Sequence, residues 1–459
     1  MSGSQSGPIR RISPIGLSDF ALIVGGEARE MAEGLSLTGF ALDSREVQPG
    51  DLFLAIKGTQ VDGHEYVAQA LANGAVATLA ERPVTGPHII VPNLVEALAK
   101  MALHFRSRFH EPVIGITGSV GKTTTKDFVV TALSPLGKIA QTQGNRNTEY
   151  TGPLIWPELV GDEKAVVVEM GMRGFGQIRH LASFARPTMG LITNIGHSHF
   201  EVVGSRQGIA EAKAELFEAL PADGRAFAWS GDDFLGVLRA QAPCPLATFG
   251  FHCGDAQVIF YEVESWTRSR ATVRIHGEDV DLTIPYAGRH LALNAAAALL
   301  VASACGVSMP DAARAIGGVK LSGMRMEVIE REGVTIVMDA YNAAPGSFLA
   351  ALETMAEIPC PRDRLLVMGE MRELGPLTES AHREVGDAIA TSKIDRACFF
   401  GEATRYAYDE CRKDGMGEDQ LVLASTMDEV SAFVGSAMAG DTVLIKGSRA
   451  LELERAIEG

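Results

Sequence analysis

The stretch Pro112-Val-Ile-Gly-Ile-Thr-Gly-Ser-Val-Gly-Lys-Thr-Thr-Thr125 joins a short apolar run to the start of a helix-like segment. A strand, a glycine-rich turn and a helix N-terminus in that order form a layout that holds a nucleotide phosphate. Glycines let successive backbone N–H groups turn toward one anion, Lys122 neutralises terminal phosphates and Thr123 offers a hydroxyl to Mg2+. The loop therefore predicts ATP binding through Gly118, Ser119, Gly121, Lys122, Thr123 and Thr124. Its spacing departs from the common form, which places a glycine where Ile116 stands; fewer families use the T-G-S-x-G-K-T variant. Without Lys122 and Thr123 the same turn would read only as a helix cap.

Outward from the loop, β-rich apolar segments at 113–117, 165–169 and 189–195 alternate with helix-length periodic stretches at 122–133 and 209–220. Such alternation predicts a mostly parallel sheet covered by helices on both faces. Residues 224–285 change to short alternating strands, for example 271–275 and 280–284, which read as an antiparallel edge or side sheet. An Ala-rich helix at 290–305 then returns to the core. Before the loop, strands at 52–56 and 75–79 and helices at 65–73 and 94–109 predict a small α/β domain. After residue 325, strands at 335–338, 365–368, 397–400 and 442–445 alternate with helices at 347–357, 380–391 and 426–438, enough for a Rossmann-like unit.

The chain has 459 residues, and about 150 residues per domain gives three. The expected fold is α/β throughout: a small N-terminal domain over 1–110, a central phosphate-loop domain with a mostly parallel sheet over 111–318, and a C-terminal Rossmann-like domain over 319–459. Hydrophobic residues at 46% supply several cores, and a net charge of -16 argues against non-specific attachment to nucleic acid or an anionic membrane. No run of about 18 apolar residues occurs, the nearest (291–305) being interrupted by Asn294 and Ser303. Six cysteines lack metal-finger or CxxC spacing and read as reduced, mostly buried thiols. With no apolar signal core at the N-terminus, the expected location is cytoplasmic, without membrane insertion.

Strand ends at the crevice edge of an α/β sheet are where chemistry collects. Glu169 ends a run of three valines on the loop's side of the sheet, which favours a direct or water-mediated Mg2+ contact over a simple strand end. His199 and Glu201 follow the 189–195 segment, where His199 reads as a site residue or a turn cap; His197 reads as solvent-facing or structural. Lys213, in Ala210-Glu-Ala-Lys-Ala-Glu-Leu216, sits on an amphipathic helix and by spacing alone belongs to a solvated face. Asp232 and Asp233 read as a turn or cap. Asp339 ends an apolar strand before Tyr341-Asn342, and a nucleotide contact and an N-cap to the next helix fit it equally.

Taken in order, these strings resemble the Mur ligase family, and within it the branch that adds D-alanyl-D-alanine. The resemblance runs nearly end to end. It rests on Asp43-Ser-Arg45, Pro49-Gly-Asp-Leu-Phe53, the T-G-S-x-G-K-T-T loop, Gly144-Asn-Arg-Asn147, Glu169-x-Gly171, Thr193-Asn-Ile-Gly196, Ser198 to Ser205 and Ala212-Lys213. It continues through Gly288-Arg-His290 with Asn294, Arg325, Asp339-Ala-Tyr-Asn342, Gly369 to Gly375 and Lys446-Gly-Ser-Arg449.

That resemblance implies an ATP-dependent amide ligase of peptidoglycan precursor synthesis, with UDP-N-acetylmuramoyl-tripeptide and D-Ala-D-Ala as small-molecule substrates and the chain a monomer. An acyl phosphate would form on the tripeptide carboxylate, and the dipeptide amine would displace phosphate from it. Ser44 and Arg45 would hold the UDP group, Asn145 and Asn147 the muramyl side, and Asn342 substrate. Lys122 and Thr123 would take phosphates and Mg2+, Glu169 and His199 metal, Asn294 adenine, Arg325 the terminal phosphate and Asp339 the ribose. Lys213 would carry a carbamate helping to hold a second Mg2+, which puts Lys122, Glu169, His199 and Lys213 in the catalytic set.

The chain departs from the family pattern at Thr148, Thr151, Ser230, Leu291 and Met338, positions near the implied muramyl, adenine and ribose contacts. The alternatives are a sister ligase or folylpolyglutamate-synthase-like ligase adding a single amino acid, and a non-catalytic ATP-binding regulator. The Asp-Asn-Pro-Arg motif of diaminopimelate addition is absent.

Overall fold

Three main sheets, each with its own helices, carry the chain in a computed structural model that describes residues 11–58, 61–198 and 200–458. The first has five strands in the order Glu27–Arg29, His88–Ile90, Ala77–Ala80, Asp51–Leu54 and Gly39–Ala41, parallel except at the Glu27–Arg29 edge. Helix Leu94–Arg106 covers it, started by Asn93, whose side chain accepts from the Glu96 amide. The helix expected at 65–73 divides into a 3-10 turn, Gly63–Tyr66, and a short α-helix, Val67–Ala72.

The central sheet has nine strands. Seven run parallel in the spatial order Ile139–Gln141, Ala165–Glu169, Val113–Thr117, Met189–Ile192, Arg225–Trp229, Leu246–Phe251 and Ala256–Ser265. Val113–Thr117 is buried along its whole length, as a strand of five apolar or small residues between two helical layers should be. The chain lays its next strands on one side of it and then crosses to Met189–Ile192 on the other. That switch of direction opens a crevice at the carboxyl end of Val113–Thr117, where the phosphate loop begins.

The region 224–285 differs from its expected antiparallel character. Arg225–Trp229 and Leu246–Phe251 extend the parallel sheet, and only Ala256–Ser265, Arg268–Ile275 and Glu278–Ile284 make the antiparallel edge. Leu246–Phe251 even pairs in parallel with Ala256–Ser265 across four intervening residues. That loop closes because Asp255 accepts from the Thr248 amide and hydroxyl at 2.7 and 3.1 Å. Gly254, at φ 94°, passes so near the Thr248 carbonyl that a Cβ would lie 2.8 Å from it.

The third sheet runs Glu327–Arg331, Val334–Asp339, Thr442–Lys446, Arg364–Gly369, Arg396–Phe400 and Leu421–Ala424, parallel after its first, antiparallel edge strand. The tip of the central antiparallel hairpin crosses into this unit: Trp266 is buried with Met326, Phe348 and Met355. Among the described residues no helix is long and apolar enough to cross a membrane. All six cysteines are free; Cys398 and Cys411 are buried, Cys253 is exposed and the other three are half-buried.

Candidate active site

The phosphate loop takes its shape from the segment after Met189–Ile192. Thr193 and Asn194 both donate to the Val120 carbonyl, at 2.6 and 3.0 Å, while the Val120 amide donates to Asn194 Oδ1 at 3.1 Å. The Ser119 amide donates to the Asn194 carbonyl at 3.0 Å, and Ser119 Oγ accepts from the Gly196 amide at 2.8 Å. Gly118, at φ 153°, lies so close that a Cβ there would stand 1.8 Å from Thr193 Oγ1. Gly121, at φ 82°, is the N-cap of helix Lys122–Leu133, whose first turn holds Lys122, Thr123 and the buried Thr124. Lys122 Nζ donates to the Gly118 carbonyl at 2.9 Å. Burial lowers the Lys122 pKa, opposed by Glu169 and Glu373, while the Arg325 guanidinium lowers it further.

Glu169 reaches this loop from the neighbouring strand. Its side chain is buried at 5% exposure and accepts from Thr123 Oγ1 and Asn147 Nδ2, each at 2.8 Å. Thr142 Oγ1 accepts from the Glu169 amide at 3.0 Å and fixes the strand end. Asn147 approaches through Gly171, whose amide donates to the Asn147 carbonyl at 2.9 Å and whose missing Cβ would lie 3.0 Å from Asn147 Cγ. The Asn145 carbonyl accepts from the Asn147 amide at 2.8 Å. Below the same loop, Arg146 pairs with Glu158 at 2.7 Å in the interior.

Lys213 overturns the expectation of a solvated face. It is 1% exposed on helix Arg206–Glu218, flanked by Ala210, Ala212 and Ala214, and no hydrogen bond or ion pair reaches its amine among the described residues. Burial drives its pKa well below the usual lysine value, and the Lys122 charge nearby adds to the shift. A lysine amine held in the interior with its charged form disfavoured, and with no partner among the described residues, is readier to act as a nucleophile than a solvated one. The next charged residue on the helix, Glu215, is occupied differently, capping helix Gln177–Ala185 by accepting from the Gly176 and Arg179 amides at 2.7 and 3.0 Å.

The C-terminal unit brings Arg325 and Glu373 within electrostatic reach of Lys122. Asp339 does not cap the following helix, whose N-cap is Ala344; it pairs at 2.5 Å with the buried Lys446, which ends the adjacent strand. The Arg325 guanidinium lies 3.9 Å over the Tyr341 ring. Glu201 packs against Gly375 of the C-terminal turn. Asn294 Oδ1 accepts from the Thr125 hydroxyl at 3.2 Å, joining helix Arg289–Ala304 to the loop helix. Asn342 accepts from the Ala343 amide at 2.8 Å and has no contact with the loop among the described residues.

Ser44 and Arg45 stand apart on the first sheet. Ser44 is buried on Gln69 at 2.8 Å, and the exposed Arg45 pairs with Asp43, whose carboxyl the guanidinium holds below its ordinary value. His199 lies outside the described residues; His197 is exposed, as expected. Asp232 makes the expected turn, accepting from the Phe234 amide at 2.9 Å, and also takes the Ile195 amide at 2.7 Å. Sequence reasoning assigned no role to Thr193, Asn194, Asp127 or Lys446. The strings Thr193-Asn-Ile-Gly and Lys446-Gly-Ser-Arg were visible, but their partners lie on other strands.

A phosphate loop at the switch point of a parallel sheet, with a carboxylate on its threonine and charged groups of a second α/β unit in electrostatic reach of its lysine, defines a multidomain phosphate-loop protein. Three family matches give the particular kind: Mur ligase family, catalytic domain, over 36–106; Mur ligase middle domain over 116–302; and Mur ligase, glutamate ligase domain, over 324–449. The UDP-N-acetylmuramoyl-tripeptide--D-alanyl-D-alanine ligase of Bacillus subtilis is 34% identical over 445 residues, covering 95% of this chain and 96% of its own. The MurF structure from Acinetobacter baumannii superposes with a TM-score of 0.88 at 27% identity, over 97% of this chain and 98% of that one. That of Thermotoga maritima MurF ligase in complex with ADP gives 0.80 at 29% identity, over 91% and 96%. The chain belongs to the Mur ligase family, as a ligase of the MurF type.

Proposed function

We propose that the chain joins D-alanyl-D-alanine to UDP-N-acetylmuramoyl-tripeptide with cleavage of ATP to ADP and phosphate, in peptidoglycan precursor synthesis. Relatives of that printed activity match it along nearly their whole length, and the Thermotoga relative was solved with ADP. The observation that carries the reading is the convergence of Lys122, Thr123, Glu169 and Asn147 on one sheet edge, with the unpartnered Lys213 in electrostatic reach.

In this reading the amides of Gly118 to Thr124 cradle the phosphates, Asn294 meets adenine and Asp339 the ribose. Arg325 offsets terminal-phosphate charge, the Asn145–Asn147 loop and Asn342 hold the acceptor substrate, and Ser44 and Arg45 bind UDP. The domains take 1–110 for UDP, 111–318 for ATP and 319–459 for closure, in a cytoplasmic monomer.

The residues fit Mg2+. Among the described residues no three of His, Cys, Asp and Glu gather as a metal cage, and Mg2+ requires none: a hydroxyl and a carboxylate beside phosphate oxygens are its ordinary protein share. Thr123, Glu169 and His199 would hold Mg2+, and a carbamate on Lys213 would help to hold a second ion; bound there, the ions would supply charge neutralisation. A carbamate suits Lys213 because its amine is buried, its charged form is disfavoured there, and it has no competing partner among the described residues.

The tripeptide carboxylate attacks the γ-phosphorus, the bond to the β-γ bridging oxygen breaks, and ADP leaves. The dipeptide amine then adds to the acyl carbon, loses a proton and expels phosphate. Lys122 and Arg325 reduce the repulsion between a carboxylate and a polyphosphate, and the rest of the chain's task is positioning. Tripeptide labelled with 18O in its terminal carboxylate tests this route. One label should appear in the released phosphate, and unlabelled phosphate would refute the acyl-phosphate route in this chain.

A further inference from the structure

The segment linking the central and C-terminal sheets runs from the end of helix Met309–Ile316 to strand Glu327–Arg331. Two of its residues are tied to the central domain. The Leu321 amide donates to the Tyr286 hydroxyl at 3.1 Å. Ser322 donates twice to Asp127, from its amide to Oδ2 at 2.7 Å and from its hydroxyl to Oδ1 at 2.9 Å.

Asp127 lies on the phosphate-loop helix itself, five residues after Lys122, and is 4% exposed. The cation beside it, Lys126, stands at 3.9 Å and donates instead to the Thr142 carbonyl at 2.9 Å. Both carboxylate oxygens are thus given to one residue 195 positions away. A buried carboxylate is tolerated only where hydrogen bonds satisfy it, so Ser322 and Asp127 move together.

The chain beyond Ser322 is built to turn. Gly323 has φ 73° and Met326 has φ 52°, two left-handed positions three residues apart with Arg325 between them. The Arg325 amide donates to the Gly323 carbonyl at 2.9 Å, and its guanidinium, over the Tyr341 ring, donates to the carbonyl of Ser322. A continuous set of contacts therefore runs from the phosphate-loop helix through Asp127 and Ser322 to the Arg325 guanidinium.

We infer that Asp127 is a positioning residue for Arg325, fixing the near end of an interdomain pivot confined to Gly323–Met326, so that rotation of the C-terminal domain swings about a point anchored to the phosphate loop. The pivot lies beyond the boundary between residues 318 and 319 expected from the sequence. The inference rests on the reading of Arg325 as a contact of the terminal phosphate.

A double-mutant cycle on the full-length enzyme tests it, with kcat and the KM for ATP measured at saturating tripeptide substrate and D-Ala-D-Ala. Asp127→Asn should lower kcat on the order of tenfold and leave the KM for ATP within about threefold, as a lost orientation does. In an Arg325→Ala background the same substitution should change kcat less than about twofold, because the group it positions is gone. Ser322→Ala, which keeps the hydrogen bond from the residue 322 backbone amide to Asp127, should repeat the pattern more weakly and carries the cycle if Asp127→Asn does not fold. Equal loss of kcat in both backgrounds would reduce Asp127 to a structural role and overturn the inference. Wild-type kcat in Arg325→Ala alone would instead refute the phosphate reading of Arg325, and the positioning inference with it.

Discussion

Replacing Gly118 with alanine should disable the phosphate loop through one atom. The added Cβ would lie 1.8 Å from Thr193 Oγ1, 3.0 Å from Thr193 Cβ and 3.2 Å from the Thr193 amide nitrogen, where atoms in ordinary contact stay about 3.5 Å apart. Thr193 cannot rotate away freely, because its β-branched side chain has few rotamers and its hydroxyl is held by the Val120 carbonyl at 2.6 Å. The backbone at Gly118, with φ 153°, adds strain for any residue bearing a Cβ. Overpacking of this kind costs about 1–3 kcal/mol, and the loop relieves it by moving. A displacement of about 1 Å is enough to lower turnover on the order of 100-fold, equivalent to about 2.7 kcal/mol of transition-state stabilisation. The assay is phosphate release against ATP concentration at saturating co-substrates, with thermal melting to establish that the chain is folded. Gly118→Ala combined with Thr193→Ala removes the 1.8 Å clash but not the 3.0 Å one, so it should recover about tenfold of the loss. A Gly118→Ala enzyme within threefold of wild type, or a double variant no better than the single, would refute the steric argument.

Lys213→Ala should lower kcat by at least about 100-fold, and enzyme prepared in 13C-bicarbonate should give a carbamate carbon resonance that the variant lacks; a wild-type enzyme without that resonance would remove the carbamate. His290 is held at about 4 by burial, against the pull of Asp339 and with the push of Lys446, so it stays neutral in the fold and binds a proton near 6.5 when unfolded. Its contribution is therefore complete above pH 6.5 and is lost as pH falls toward 4, on the order of 3 kcal/mol in all. His290→Gln should melt with a shallower decline over that window, and identical declines would contradict the assignment. Trp266→Ala should destabilise the joint between central and C-terminal units by about 3–5 kcal/mol, whereas Trp266→Phe should cost much less because the buried indole N–H has no hydrogen-bond partner among the described residues. Equal melting losses for the two would refute that difference.

The residues that spoke clearly in the sequence are those whose role is local. The phosphate loop, its helix and the apolar strands at 113–117 and 165–169 depend on a few consecutive side chains, and they stand at those positions. Residues whose role depends on a distant strand were illegible. Asp339 could not be told from a helix cap because Lys446, its partner, is 107 positions away and meets it only through the order of strands in the third sheet. Lys213 looked solvated because helix periodicity marks faces without saying which face is covered, and helix Arg206–Glu218 is covered on nearly every side. The parallel pairing of Leu246–Phe251 with Ala256–Ser265 defeats the rule that parallel neighbours need a long crossover; a loop held by Asp255 and Gly254 makes it possible.

The central claim is that one chain couples ATP cleavage to peptide-bond formation between two particular substrates. Its most direct test measures phosphate release from ATP with UDP-N-acetylmuramoyl-tripeptide, with and without D-Ala-D-Ala, and reads product mass in the same samples. Release that requires both substrates, with a product heavier by the dehydrated dipeptide, is the predicted result. Turnover with a single amino acid but none with D-Ala-D-Ala, or silence with every acceptor despite ATP binding, would contradict it.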